Sequence, residues 1–213
     1  MELAAIIDHT LLKADATEPM MEKLCSEAVE YGFWSVCVNP VWVPVCSGLL
    51  SGEKPLVCSV VGFPLGATPT ICSEAEWAVS RGAGEIDMVL PVGLLKQGDS
   101  KGVFRVIRDV VTAVTGIPVK VILETCLLTR EEKVTACCLA VDAGAAFVKT
   151  STGFSTGGAT LEDVALMRST VGASMGVKAS GGIRDFSSAV AMVEAGASRI
   201  GTSNGITIVN DNK

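Results

Sequence analysis

Short apolar runs rich in β-branched residues recur along the chain: "FWSVCVN" at 33–39, "LVCSVVGF" at 56–63, "EIDMVLP" at 85–91, "VKVILET" at 119–125, "AFVKTS" at 146–151, "GVKAS" at 176–180 and "SRIGTS" at 198–203. Their length and composition predict strands buried on both faces, as in a parallel sheet. Between them the apolar positions take helical spacing, over Glu18–Glu30, Thr70–Ser80, Val103–Val114, Arg130–Ala143, Leu161–Met167 and Phe186–Ala195. Strand and helix therefore alternate throughout.

A near-repeat supports this rhythm. "AVSRGAGEIDMVL", "AVDAGAAFVKT" and "MVEAGASRIGT" each pass from a helix end through Gly-Ala into a strand. The glycine suits a left-handed turn that ends the helix. With "AIIDHTL" as a first strand there are eight strand and helix units, each near the size of one βαβ element. They predict a single (β/α)8 TIM-barrel domain over residues 1–213, small for that fold. An open doubly wound sheet would fit the same alternation. Its Gly-x-Gly-x-x-Gly fingerprint is missing, and "GFSTGGAT" lacks the lysine of a phosphate-binding P-loop.

Composition narrows the partners. Hydrophobic residues make up 49% and charged residues 19% of the chain, and the net charge is -6. An acidic chain without a basic run argues against nucleic acid or an anionic membrane, so an anionic ligand must be caught locally. The eight cysteines are scattered through apolar segments with no Cys-x-x-Cys pair, as expected of reduced cysteines in a cytoplasmic protein. One histidine and no clustered cysteines predict no metal site and no metal cofactor. No stretch has the roughly 18 consecutive apolar residues of a membrane helix.

Strand parity locates the chemistry. Ile86 and Met88 share one face, which turns Asp87 the other way. The same rule turns Phe147, Lys149 and Ser151 into the barrel, along with Lys178 and Ser180, Lys120 and Glu124, and Ser203. A single lysine at a strand tip is ordinarily just solvated. Several charges converging at the C-terminal ends of barrel strands are the usual layout of an active site.

Lys149 and Lys178 lie on neighbouring predicted strands. Two ammonium groups roughly 5 Å apart at an effective dielectric near 20 repel by about 3 kcal/mol, favouring a neutral amine about a hundredfold. Such an amine can attack a carbonyl, with Asp87 as proton shuttle. Glycine-rich polar turns follow strands six, seven and eight ("STGFSTGG", "SGG", "TSNG"), and their amides can cradle a phosphate without basic side chains. The pattern points to a phosphorylated carbonyl substrate. Two other readings share it: a barrel isomerase or lyase with no covalent intermediate, and a metabolite-binding barrel whose lysines form structural ion pairs.

The motifs "IDHTLLK", "VCVNP", "VVGFPLG", "GAGEIDMVLPVG", "VKVILET", "FVKTSTGF" and "GVKASGGIR", in this order, resemble the deoxyribose-phosphate aldolase family over nearly the whole chain. The resemblance implies a class I aldolase without cofactor, cleaving 2-deoxy-D-ribose 5-phosphate reversibly to acetaldehyde and D-glyceraldehyde 3-phosphate in deoxyribose catabolism. It places the Schiff-base lysine at Lys149, the second lysine at Lys178 and the proton-relay aspartate at Asp87. With the loop chemistry it places substrate and phosphate contacts at Thr152, Gly153, Gly181, Gly182 and Ser203. Cys37 aligns with a cysteine near the substrate, as a direct contact or equally as a small filler of the barrel interior, and Lys120 and Glu124 would belong to a supporting charge network. A homodimer or higher homo-oligomer is compatible with it. Some relatives carry a longer tail ending in a tyrosine that aids proton transfer, whereas the sole tyrosine here is Tyr31. His9 is expected to orient the first strand rather than move protons.

Overall fold

The computed structural model describes residues 3–211. Its eight strands are β1 (Ile7–Leu11), β2 (Ser35–Val38), β3 (Leu56–Val61), β4 (Glu85–Val89), β5 (Val119–Ile122), β6 (Phe147–Lys149), β7 (Gly176–Ser180) and β8 (Arg199–Thr202). All are parallel and close in chain order, β8 pairing back onto β1 through Ile7↔Ile200 and His9↔Thr202. The architecture is the (β/α)8 barrel that the alternation predicts. Closure removes both sheet edges and leaves every strand with two neighbours.

The helices α1 (Glu18–Tyr31), α3 (Ile71–Ser80), α5 (Ser100–Ala113), α6 (Arg130–Asp142), α7 (Leu161–Val171) and α8 (Phe186–Glu194) match the six periodic segments. Three short helices carry no such signal: α2 (Val43–Leu49), α4 (Val92–Lys96) and α9 (Gly205–Asn210). Helix starts follow local chemistry. The Thr129 hydroxyl accepts the Glu132 N–H while the Glu132 carboxylate accepts the Thr129 N–H, and Asp185 with Ser188 forms the same reciprocal cap on α8. After α3, α6 and α8 the glycines of the three near-repeats, Gly82, Gly144 and Gly196, have φ of 107°, 85° and 116°. A side chain is disfavoured there, and the chain turns directly into β4, β6 and β8.

The main core lies between barrel and helices. Val36, Ile86, Met88, Val121, Val148, Val177 and Ile200 are fully buried against it, in one cluster with Met21, Ile107, Ala140 and Met167 from the helices. A second, small cluster of Leu12, Cys37, Cys58 and Val60, with Phe63 against it, forms separately. The other strand face points into the barrel and carries the charges. Asp8, Glu85, Asp87, Lys120, Lys149, Lys178 and Arg199 are each at most 5% exposed. None of the described helices is long and apolar enough to cross a membrane.

Candidate active site

Registration brings the charged positions together. Asp87 lies opposite Lys120, Lys149 opposite Lys178, and Lys178 opposite Arg199 across successive strand pairs. Asp87 is the hub: its Oδ2 is 2.8 Å from Lys149 Nζ and 2.8 Å from Lys178 Nζ, and its Oδ1 is 2.8 Å from Lys120 Nζ. The expected repulsion between the lysines is thus met by a carboxylate placed between them. Burial alone would raise the Asp87 pKa, but the ammonium groups of Lys120, Lys149 and Lys178 outweigh it and hold it well below the usual carboxylate range. Burial would likewise lower Lys178, but Asp8 and Asp87 outweigh it and push it above the ordinary lysine value. Lys120 is raised in the same way, with Asp87 the largest opposing influence.

Three further members of this cluster went unread in the sequence. Asp8 Oδ2 is 2.5 Å from Lys178 Nζ, and Asp8 Oδ1 is 2.8 Å from an Arg199 nitrogen. Glu85 is 2.7 Å from Lys120 and 3.0 Å from Arg199. The Arg199 guanidinium lies 4.4 Å from the Trp34 ring centre and 5.2 Å from that of Phe147. Parity could have found Glu85, two residues before Asp87, and Arg199, four before Ser203. Both sit at strand starts, however, where active-site groups are not sought.

Above the cluster opens a cavity of about 300 Å³. Of the three lysines, Lys149 alone lines it. The glycine-rich turns supply much of the wall: Thr152 and Gly153 after β6, Gly181 and Gly182 after β7, and Ser203 after β8. Lys13 and Arg184 also line it, so the phosphate cradle expected to lack basic side chains has two at its rim. Both are exposed loop residues that end the motifs "IDHTLLK" and "GVKASGGIR", beyond the strands to which parity applies.

One expected role changes, and one open alternative is decided by burial. Lys120 is in the charge network, but Glu124 is not. One residue beyond Leu123 its backbone turns left-handed, with φ of 58°, and its carboxylate accepts the N–H and the hydroxyl of Thr152. Parity fails there because the strand has already ended at Ile122. Cys37 is fully buried in the barrel and absent from the cavity wall, its Sγ 4.0 Å from Asp87 Oδ2. A hydrogen bond with Cys58 holds its pKa down, while burial pushes that of Cys58 up.

Although no sequence motif pairs them, Cys37 and Cys58 are cross-strand neighbours, and with Asp87 they form a group of converging ligand atoms. Lys120 Nζ stands 3.3 Å from Cys58 Sγ, and Asp87 already holds three ammonium groups. Those cations occupy the positions a divalent metal would need, so the donor set suits protons better than an ion. His9 points away from the cluster. Its Nε2 bonds Glu27 of α1 at 2.8 Å, and burial lowers its pKa.

A closed parallel barrel whose cavity, at the C-terminal ends of the strands, meets a lysine of a buried acid-base cluster has the layout of a barrel enzyme. The family profile of the DeoC/LacD family aldolases matches residues 3–210, and the chain belongs to that family. It is 60% identical to the deoxyribose-phosphate aldolase of Brevibacillus brevis, with 100% of this chain and 97% of the relative covered. It is 62% identical to that of a Geobacillus species, covering 97% and 94%. The tetrameric deoxyribose phosphate aldolase of Aeropyrum pernix superposes with a TM-score of 0.93 at 39% identity, covering 99% of this chain and 90% of that one. The chain is accordingly an aldolase of the deoxyribose-phosphate type.

Proposed function

We infer that the protein, as one barrel domain, cleaves 2-deoxy-D-ribose 5-phosphate reversibly through a Schiff base on Lys149. The observation that carries this reading is the position of Lys149. It has one carboxylate partner, Asp87, whereas Lys178 has two and Lys120 three. The cluster holds four cations (Lys120, Lys149, Lys178, Arg199) against three carboxylates (Asp8, Glu85, Asp87). An amine at Lys149 leaves three of each, and buried charge is cheapest when balanced. The lysine that lines the cavity is thus the one held by the fewest carboxylates.

Lys149 attacks C1 of the open-chain sugar, and loss of water gives the iminium, which draws electrons from the neighbouring bond. Carbon count places the break between C2 and C3 rather than C3 and C4, since acetaldehyde keeps two carbons and glyceraldehyde phosphate three. The C3 hydroxyl loses its proton and becomes the product carbonyl. The enamine then takes a proton at C2, and hydrolysis returns the water and frees Lys149. Asp87 Oδ2 lies 2.8 Å from both Lys149 and Lys178, so the proton that Lys149 loses on attacking C1 can pass over that oxygen to the departing hydroxyl while Lys178 remains an ammonium. Gly153, Gly181, Gly182 and Ser203, with Lys13 and Arg184, would hold the phosphate. Cytoplasmic location and a homo-oligomeric state complete the reading, supported by eight free cysteines and by the tetrameric relative.

Reduction with borohydride in the presence of acetaldehyde tests the chemistry. The added mass should map to the peptide containing Lys149 and disappear in Lys149→Met. A folded protein left unmodified under these conditions would refute a covalent mechanism.

A further inference from the structure

Glu124 stands apart from the charge cluster and carries three unusual properties at once. Among the described residues it is the only non-glycine with a left-handed backbone, a conformation L-residues avoid. Its side chain is buried, at 4% exposure, with no lysine or arginine within ion-pair distance among those residues. Its carboxylate is spent on one residue: Oε1 accepts the Thr152 N–H at 3.3 Å and Oε2 accepts the Thr152 hydroxyl. Strain at a site edge is a reason to look for function.

The consequence lies in Thr152, which lines the cavity with Lys149. A hydroxyl has one hydrogen and two lone pairs. The hydrogen is committed to Glu124, and one lone pair accepts the Phe154 N–H at 3.0 Å. What remains toward the cavity is a single lone pair. Thr152 can therefore receive a donor and cannot serve a phosphate dianion, whose oxygens only accept.

We propose that Glu124 is a positioning residue that makes Thr152 an acceptor-only group and so selects acceptor aldehydes bearing a hydroxyl beside the carbonyl. The proposal rests on the aldolase reading. D-Glyceraldehyde 3-phosphate offers an accepting carbonyl, an accepting phosphate and one donor, its 2-hydroxyl. By elimination that hydroxyl, C4–OH of the condensed sugar, faces Thr152. Phosphate is left to the turns after β7 and β8.

Glu124→Gln is a test with a definite sign. The Thr152 N–H can only donate, so the amide oxygen must face it and the amide NH₂ must face the hydroxyl. Both Thr152 lone pairs are then filled and its hydrogen is turned toward the ligand. The measurement is the ratio of kcat/KM for D-glyceraldehyde 3-phosphate to that for 3-oxopropyl phosphate, which lacks the 2-hydroxyl, with acetaldehyde as donor. The wild-type ratio should be about tenfold or more. Thr152→Val should lower it about tenfold. In Glu124→Gln the ligand hydroxyl can turn to accept, so that variant is read with 2-fluoro-3-oxopropyl phosphate, whose fluorine accepts but cannot donate: its kcat/KM relative to D-glyceraldehyde 3-phosphate should rise about tenfold, and in a Thr152→Val background Glu124→Gln should change neither ratio.

A wild-type ratio within about twofold of one overturns the proposal, and this needs no variant. So does an unchanged ratio in Thr152→Val, an unchanged relative rate of the fluoro analogue in Glu124→Gln, or an effect of Glu124→Gln that persists without the Thr152 hydroxyl. Turnover with an unmoved ratio defeats this inference alone. Absence of any aldol turnover in the wild type defeats the aldolase reading and this inference with it.

Discussion

At the scale of single residues, Asp87 carries more of the site than any other side chain. It is fully buried, and each of its three lysine partners lies 2.8 Å away. Asp87→Asn keeps the shape and removes the charge, leaving buried ammonium groups without their shared counter-ion. Removing one partner of a buried pair costs about 3–5 kcal/mol, so the urea midpoint should fall accordingly, and borohydride trapping at Lys149 should slow. Unchanged stability would mean that Asp8 and Glu85 suffice as counter-ions. The Asp87, Lys149, Lys178 and Lys120 positions were legible because alternation assigns a face to every strand residue. Asp8, Glu85 and Arg199 obey the same rule but were passed over, since they lie at strand starts, far from where loops build sites. The Glu124 role was not legible, because a left-handed glutamate has no sequence signature.

At the scale of elements, the site depends on how closely the turns after β6 and β7 approach each other. The Ala159 N–H donates to Gly181 O at 3.0 Å, and a Cβ on Gly158 would stand 2.3 Å from that same oxygen. Backbone meets backbone here, so no side chain can swing aside. Gly158→Ala should push the two turns apart, raising KM for the phosphorylated substrate about tenfold and lowering Tm by several degrees, by roughly 1–3 kcal/mol of overpacking. Steady-state kinetics with a thermal melt checks both, and unchanged KM would detach these turns from phosphate binding. Helices of two or more amphipathic turns were readable from their spacing. α2, α4 and α9, of 7, 5 and 6 residues, are too short for periodicity to register and owe their form to the loops they sit in.

At the scale of the whole molecule, closure of the barrel was legible in the count of eight βα units, while its charged interior ties stability to pH. Asp8 and Asp87 titrate below their unfolded values in the folded state, where burial is outweighed by the lysines around them. Their contribution is present above the unfolded carboxylate pKa of about 3.9 and is lost as pH falls through the lower folded values. Lys120 and Lys178 titrate above their unfolded values. Their contribution is present below about pH 10.4 and is lost as pH rises through the folded values. His9, lowered by burial, takes up its proton more readily when unfolded, so stability declines gently below about pH 6.5. Cys58 and Cys137, whose thiols burial pushes up, add stability that is lost above the unfolded thiol value of about 8.5. The urea midpoint should therefore hold level from about pH 6.5 to 8.5, decline above that, sag slightly toward pH 4 and drop steeply below it. Asp87→Asn should lower the plateau and flatten the acid limb, since one of the carboxylates that must be protonated is gone. A steep loss already between pH 5 and 6, unaffected by Asp87→Asn, would place the decisive proton uptake outside the barrel interior.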